Sequence, residues 1–156
     1  MDLIKAEELA IQLMTLHGLI EQNWRFEFDR SLRRFGVCKY RGKTIGLSRA
    51  LVELNDEFEV KDTILHEIAH ALTPNDRGHG WAWRQKCIEI GARPQRCYSS
   101  KEVARPKMRY QFQCVCGIVH QRTKRPPHGR RSACKCQSHI PWDKKVLIVY
   151  VDTYVC

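Results

Sequence analysis

Long apolar runs are missing from this sequence. The longest, Val146-Leu-Ile-Val-Tyr-Val151, has six residues, far short of the about 20 that a membrane-spanning helix needs. The start, Met1-Asp-Leu-Ile-Lys-Ala-Glu-Glu8, lacks a basic stretch followed by an apolar one. No secretory signal is read there, no membrane partner is expected, and the default expectation is an intracellular protein, cytoplasmic in a bacterium or an infecting phage's host and nuclear in a eukaryote. Internal repeats are absent too, which excludes solenoids and propellers. Acidic residues are scarce in one segment only. Residues 101–145 carry 12 Lys and Arg against Glu102 and Asp143, whereas residues 1–100 carry 15 against 14. The whole formal charge of +10 is therefore equalled by a single block, which points to a polyanionic partner for that block rather than for the entire chain.

Cysteine is not scarce, but its placement excludes the usual disulfide scaffold. Of eight cysteines, four form two close pairs, Cys114/Cys116 and Cys134/Cys136. Without a secretory signal, pairs of this kind read as thiolate metal ligands in a reducing compartment. Cys38, Cys87, Cys97 and Cys156 stand alone and read as small apolar residues.

With 156 residues, the chain can build one core, or one modest domain plus a small metal-stapled one. Apolar residues recur at helical spacing from Asp2 to about Gln22. Trp24-Arg-Phe-Glu-Phe-Asp29 alternates as a strand does. Phe35–Tyr40 and Lys43–Ser48 flank Arg41-Gly42 and predict a hairpin. Asp62 is a plausible N-cap for a helix over Thr63–Leu72, and Trp81 to about Ile90 predicts another, ended by Gly91. From Ser99 the composition becomes basic and linker-like, followed by short strand-like runs around the cysteine pairs. The fold expected is α+β: a helical zincin-type core with a small antiparallel sheet over residues 1–104, then a β-rich zinc-ribbon module over 105–156.

His66-Glu67-Ile68-Ala69-His70 carries the chemistry. On a helix, positions i and i+4 lie one turn apart on one face, so both imidazoles can reach a single zinc ion. Glu67 is rotated off that line, where it can take a proton from a metal-activated water and pass it to the leaving amine. Every other position from Thr63 to Leu72 is uncharged, as suits a helix buried through an active-site domain. A catalytic zinc takes three protein ligands. His79 is the leading candidate for the third, with Glu89 its rival. The residues Gly46-Leu-Ser48, Leu65-His-Glu-Ile-Ala-His-Ala-Leu72 and Gly78-His-Gly-Trp-Ala-Trp83 resemble the SprT-like family, which includes bacterial SprT proteins and the Spartan proteases that degrade DNA–protein crosslinks. The resemblance implies a zinc peptidase with ligands His66, His70 and His79 and a catalytic Glu67. For the Spartan branch it also implies proteolysis stimulated by DNA. Of Trp81 and Trp83, at least one is expected in the core.

Cys114, Cys116, Cys134 and Cys136 are expected to close a second, structural zinc site, with His120, His128 or His139 as substitutes for a cysteine. Arg122, Lys124, Arg125, Arg130, Arg131 and Lys135 are the residues expected to contact nucleic acid. No base-reading motif accompanies them, so single-stranded or structured DNA, not a sequence, is the expected partner. The reading is thus a DNA-associated zinc endopeptidase acting on protein. Its rivals are a non-enzymatic zinc-braced nucleic-acid-binding protein and a general peptidase independent of DNA.

Overall fold

The structure, a computed structural model, describes residues 1–76, 78–96, 103–106, 109–122, 133–145 and, for the backbone, 151–152. The chain divides into two compact units, Met1–Pro106 and Lys107–Cys156. No helix among the described residues is long and apolar enough to cross a membrane.

In the first unit, α1 (Leu3–Leu16) begins at Asp2, whose carboxylate accepts from the Ile4 and Lys5 N–H groups. This satisfies donors that a helix start otherwise leaves bare. Its face of Ala6, Ala10 and Met14 is fully buried. Three strands follow: β1 (Arg25–Asp29), β2 (Gly36–Lys39) and β3 (Thr44–Ser48). The expected hairpin is present, with β2 antiparallel to β3. The sheet as a whole is mixed, because β1 joins the far side of β3 in parallel. All five residues of β3 are buried, so this strand takes the centre and the half-exposed β1 and β2 take the edges.

Ser48 ends β3 and caps a short helix that the sequence did not announce, α2 (Arg49–Leu54), by accepting from the Leu51 N–H. Next, α3 (Glu57–Leu72) starts six residues earlier than expected, because Asp56 caps it through the Glu59 N–H. Asp62 is therefore inside the helix. Its carboxylate accepts from the backbone N–H and Nε of Arg93, each at 2.8 Å, and Glu59 accepts from Nη2 of the same arginine at 2.5 Å. That double clasp ties the middle of α3 to the chain leaving α4 (Trp81–Ile90). From Glu59 to Ala71 only Lys61 of α3 escapes burial. The core contributed by Ile64, Ile68, Val60, Leu51, Leu47 and Trp83 surrounds it.

The second unit holds β4 (Tyr110–Gln113), β5 (Val119–Arg122) and β6 (Val151–Asp152), with β4 in the middle and both pairings antiparallel. Two single 3₁₀ turns, Lys135–Gln137 and Trp142–Lys144, complete its described elements.

Candidate active site

Helix pitch puts His66 and His70 on one face of α3, and the loop after the helix returns a third imidazole to them. The His79 Nε2 atom lies 3.2 Å from His66 Nε2 and 3.3 Å from His70 Nε2. In a neutral imidazole a ring nitrogen offers either one N–H or one lone pair, so hydrogen bonding satisfies only one of the two contacts that His79 Nε2 makes. Tetrahedral zinc with bonds of about 2.0–2.1 Å places its ligand atoms about 3.3 Å apart. The donor set and spacing therefore fit zinc. Burial, then the neighbouring imidazoles, push His66 down to about 3; burial and His79 push His70 down to about 4. Both are neutral near pH 7, the form that binds a metal.

Trp83 forms the platform under this triad. Its fully buried ring stacks on His70 at 24° and 5.2 Å and meets His66 and His79 edge-on at 4.7 and 4.5 Å. Trp81, two residues earlier, is 77% exposed, so the tryptophan pair divides as expected into one core residue and one surface residue. The third histidine depends on Asp76. Its carboxylate accepts from the Gly80 and Trp83 N–H groups at 3.2 and 3.1 Å, capping α4 where Gly80 has no side chain to do so. Those backbone N–H groups, Trp83 foremost, hold the Asp76 carboxyl below its ordinary range.

Glu67 points away from the ligand line toward β2. Burial pushes its carboxyl up to about 8, opposed by the Arg34 charge and by a hydrogen bond from the Cys38 backbone N–H. The approach is so close that a Cβ on Gly36 would lie 2.5 Å from Glu67 Oε1, so glycine is the residue this spot admits. The triad and Glu67 open into a cleft of about 390 Å³. Glu89, the rival ligand, faces the other way, with 64% of its side chain exposed and Lys86 Nζ 2.6 Å from it. Among the described residues no fourth side chain joins the three histidines.

The four paired cysteines also converge, all with sulfurs within 4.8 Å of one another. Cys114 Sγ lies 3.5 Å from Cys136 Sγ, and Cys116 Sγ 3.8 Å from Cys134 Sγ. These separations are far beyond a disulfide bond of about 2.05 Å. They match the about 3.8 Å edge of a ZnS₄ tetrahedron with bonds of about 2.3 Å. The Cys-x-Cys spacing works because Gly117, at φ +84°, turns the chain, and its N–H donates to Cys114 O at 2.8 Å. The Ile118 N–H, the largest of several influences, helps draw Cys116 down to about 7. His120 and His139 stand outside the cluster.

Of the residues expected to meet nucleic acid, Arg122 is half-buried on β5 and Lys135 is exposed on a 3₁₀ turn. Lys124, Arg125, Arg130 and Arg131, like His128, lie outside the described residues. Beyond them, Lys145 Nζ sits 5.4 Å over the half-exposed Trp142 ring. Lone Cys38 and Cys87 are thiols that burial pushes up to about 12, hence unreactive.

A model of the SprT-like family matches residues 8–103. The chain belongs to the SprT-like family. The match spans the whole three-histidine site and ends just before the second unit, so the SprT-like part and the cysteine site are separate features of the chain. Among solved structures, the chain is similar to the metallopeptidase zymogen jannalysin of Methanocaldococcus jannaschii, at 18% identity and a TM-score of 0.47, over 62% of this chain and 85% of that one. No curated protein matches it. Sequence reading missed the parts played by Gly36, Trp83 and Asp76. Only Asp76 and Trp83 had a local signal, in their spacing around Gly78-His-Gly80.

Proposed function

We propose that this SprT-like chain is a zinc-dependent endopeptidase, and that the convergence of three imidazole nitrogens beside a buried carboxyl in an open cleft carries this reading. His66, His70 and His79 would hold the ion. Zinc bound there supplies Lewis-acid polarisation of water and of the scissile carbonyl. The ion's positive charge would favour the ionised carboxylate against the effect of burial, and Glu67 would then accept a proton from the attacking water and return it to the leaving nitrogen. Gly36 and the Cys38 N–H keep that carboxyl aimed, and Trp83 keeps the imidazoles from turning. The edge strand β2 has β3 on one side only, and Gly36, Val37 and Cys38 line the cleft. An extended peptide laid along that edge, in the manner of an added strand, would pass beside Glu67. The lack of a fourth side chain among the described residues supports a catalytic rather than a bracing metal.

The second part of the reading is a division of labour between a peptidase domain at 1–104 and a module at 105–156. A second zinc on Cys114, Cys116, Cys134 and Cys136 would brace the module, and its basic residues, Arg122, Lys124, Arg125, Arg130, Arg131 and Lys135, would meet DNA. The charge block supports this, since phosphate neutralisation needs such a block and the rest of the chain is nearly balanced. Substrates would then be proteins bound or crosslinked to DNA. The test is cleavage of a DNA-binding protein by the zinc-loaded chain, with and without single-stranded DNA, beside Glu67→Gln. Cleavage that needs both DNA and Glu67 supports the full reading. Cleavage indifferent to DNA leaves a general peptidase, and no cleavage by a zinc-loaded chain leaves a binding protein.

A further inference from the structure

The cleft over the histidines is charged in an unusual way. Four arginines line it, Arg33, Arg34, Arg96 and Arg105, and among its described lining residues the one carboxyl is Glu67. They come from separate stretches of chain. Arg33 and Arg34 precede β2, Arg96 follows α4, and Arg105 lies on a segment that returns from the end of the unit. That segment is latched down. The Asn55 side chain donates to Ala104 O at 2.9 Å and accepts from Ala104 N–H at 2.7 Å, while Val103 is 2% exposed. Arg105 Nη1 then donates to Arg33 O at 2.9 Å, which ties the two cleft walls together.

The guanidiniums share this cleft with His66, Glu67, His70 and His79. Arg34 is paired with Asp29. Arg33, Arg96 and Arg105 have no ion-pair partner among the described residues. Guanidiniums gathered around a partly apolar cavity favour an anionic guest, and their planar fork suits a carboxylate. The cavity is of side-chain size, with Phe35, Val37, Leu51 and Val103 in its walls. A nucleic-acid backbone needs a groove whose positive charges run along several nucleotides instead.

Resting on the peptidase reading, we infer that this arginine-rimmed cleft selects substrates bearing a carboxylate beside the scissile bond, supplied by an Asp or Glu side chain or by a free C-terminus. Arg33, Arg96 and Arg105 are its specificity residues. The recognition is a charge-assisted hydrogen bond with no covalent step of its own.

The experiment uses the zinc-loaded full chain and one quenched peptide scaffold with Glu, Gln or Lys flanking the cleavage point, each with a free or an amidated C-terminus. Labelled versions are titrated by anisotropy against zinc-loaded Glu67→Gln, so binding is read without cleavage. Glu peptides should bind and be cut about tenfold better than Gln peptides, the size of one charge-assisted hydrogen bond, with Lys peptides worse still. Arg96→Ala and Arg105→Ala should narrow the Glu-to-Gln ratio mainly through KM, and Arg96→Lys should restore part of it. A preference that follows the amidation state instead of the flanking residue assigns the carboxylate to the C-terminus. Equal binding of Glu, Gln and Lys peptides overturns the inference even if all are cut, and then the peptidase reading survives alone. Selective binding of Glu peptides with no cleavage by the wild type, with or without single-stranded DNA, sinks the peptidase reading and leaves the carboxylate site standing. If Arg96→Ala weakens a short oligothymidylate more than the Glu peptide, the arginines serve nucleic acid and the inference is overturned.

Discussion

The two candidate metal sites of this chain are built in opposite ways. The histidine site sits on a helix that is buried nearly from end to end, over a tryptophan with no exposed surface and against a core shared by α1, α2, α3 and β3. The cysteine site has almost nothing apolar beneath it. Among the described residues of the second unit, only Cys114, Cys134 and Gln137 are buried, while Val115, Ile118 and Val119 are 48–89% exposed. In the first unit the fold makes the site. In the second, too few of the described side chains leave water to offset the entropy of ordering the chain, so a metal on the cysteines would have to supply what the core does not. The same element, zinc, is thus expected to act as a reagent in one place and as a core in the other.

Breaking the cysteine site should have the largest effect. Structural zinc in small modules binds with an apparent free energy of about 10–16 kcal/mol, most of it coupled to folding. Cys134→Ser should therefore collapse the amide dispersion of residues 107–156 in an NMR spectrum while signals of residues 1–106 persist. Bound zinc should fall from two ions to one. A second unit that stays folded in excess chelator would show that its own side-chain contacts, and not a metal, hold it together.

Glu67→Gln comes next and should lower cleavage by about 10²–10⁴-fold, the usual share of a general base. Zinc content and melting temperature should hold, since an amide of the same shape replaces a carboxyl that burial already penalises. Loss of the metal along with activity would show that Glu67 braces the site and does not act on substrate.

Trp83→Ala sharpens the comparison from the other side. Removing a buried tryptophan costs about 3–5 kcal/mol, and here the cavity opens beneath all three imidazoles. Thermal unfolding should drop and zinc affinity at the histidines should fall with it, whereas Trp83→Phe should recover most of both. Unchanged zinc affinity in Trp83→Ala would mean that the ring fills space without orienting ligands. Gly36→Ala should reduce turnover while leaving zinc in place, because the atoms nearest the new methyl belong to Glu67 and Thr63.

The smallest effect is expected at Asp76. Asp76→Asn keeps one acceptor for the Gly80 and Trp83 N–H groups and should weaken zinc binding by about tenfold or less, the low end for residues that support ligands. Isothermal titration with zinc measures it, and a loss as large as that of His79→Ala would promote Asp76 from support to ligand.

Much of this was legible without coordinates. The two strands of the hairpin, α1 and α4 followed from apolar period and turn residues, and α3 was expected although not its start. Asp62 looked like a cap because it precedes an apolar run, but its carboxylate answers to Arg93, 31 residues away, and Asp56 does the capping. The short helix α2 escaped notice because six residues carry too little period to read. The parallel placement of β1 was hidden as well, since alternation shows that a segment is a strand and not which neighbour it takes.

What the sequence determined by itself is whatever the pitch of a helix or the turn of a knuckle sets locally: His66 and His70 on one face with Glu67 beside them, and cysteines two apart that share a turn. Tertiary structure alone decided the rest. It brought His79 and not Glu89 to the pair, pressed Gly36 against Glu67, slid Trp83 under three rings, and gathered arginines from three stretches around one cleft. Such meetings depend on many weak contacts summed across a close-packed core, and no short window of sequence contains that sum.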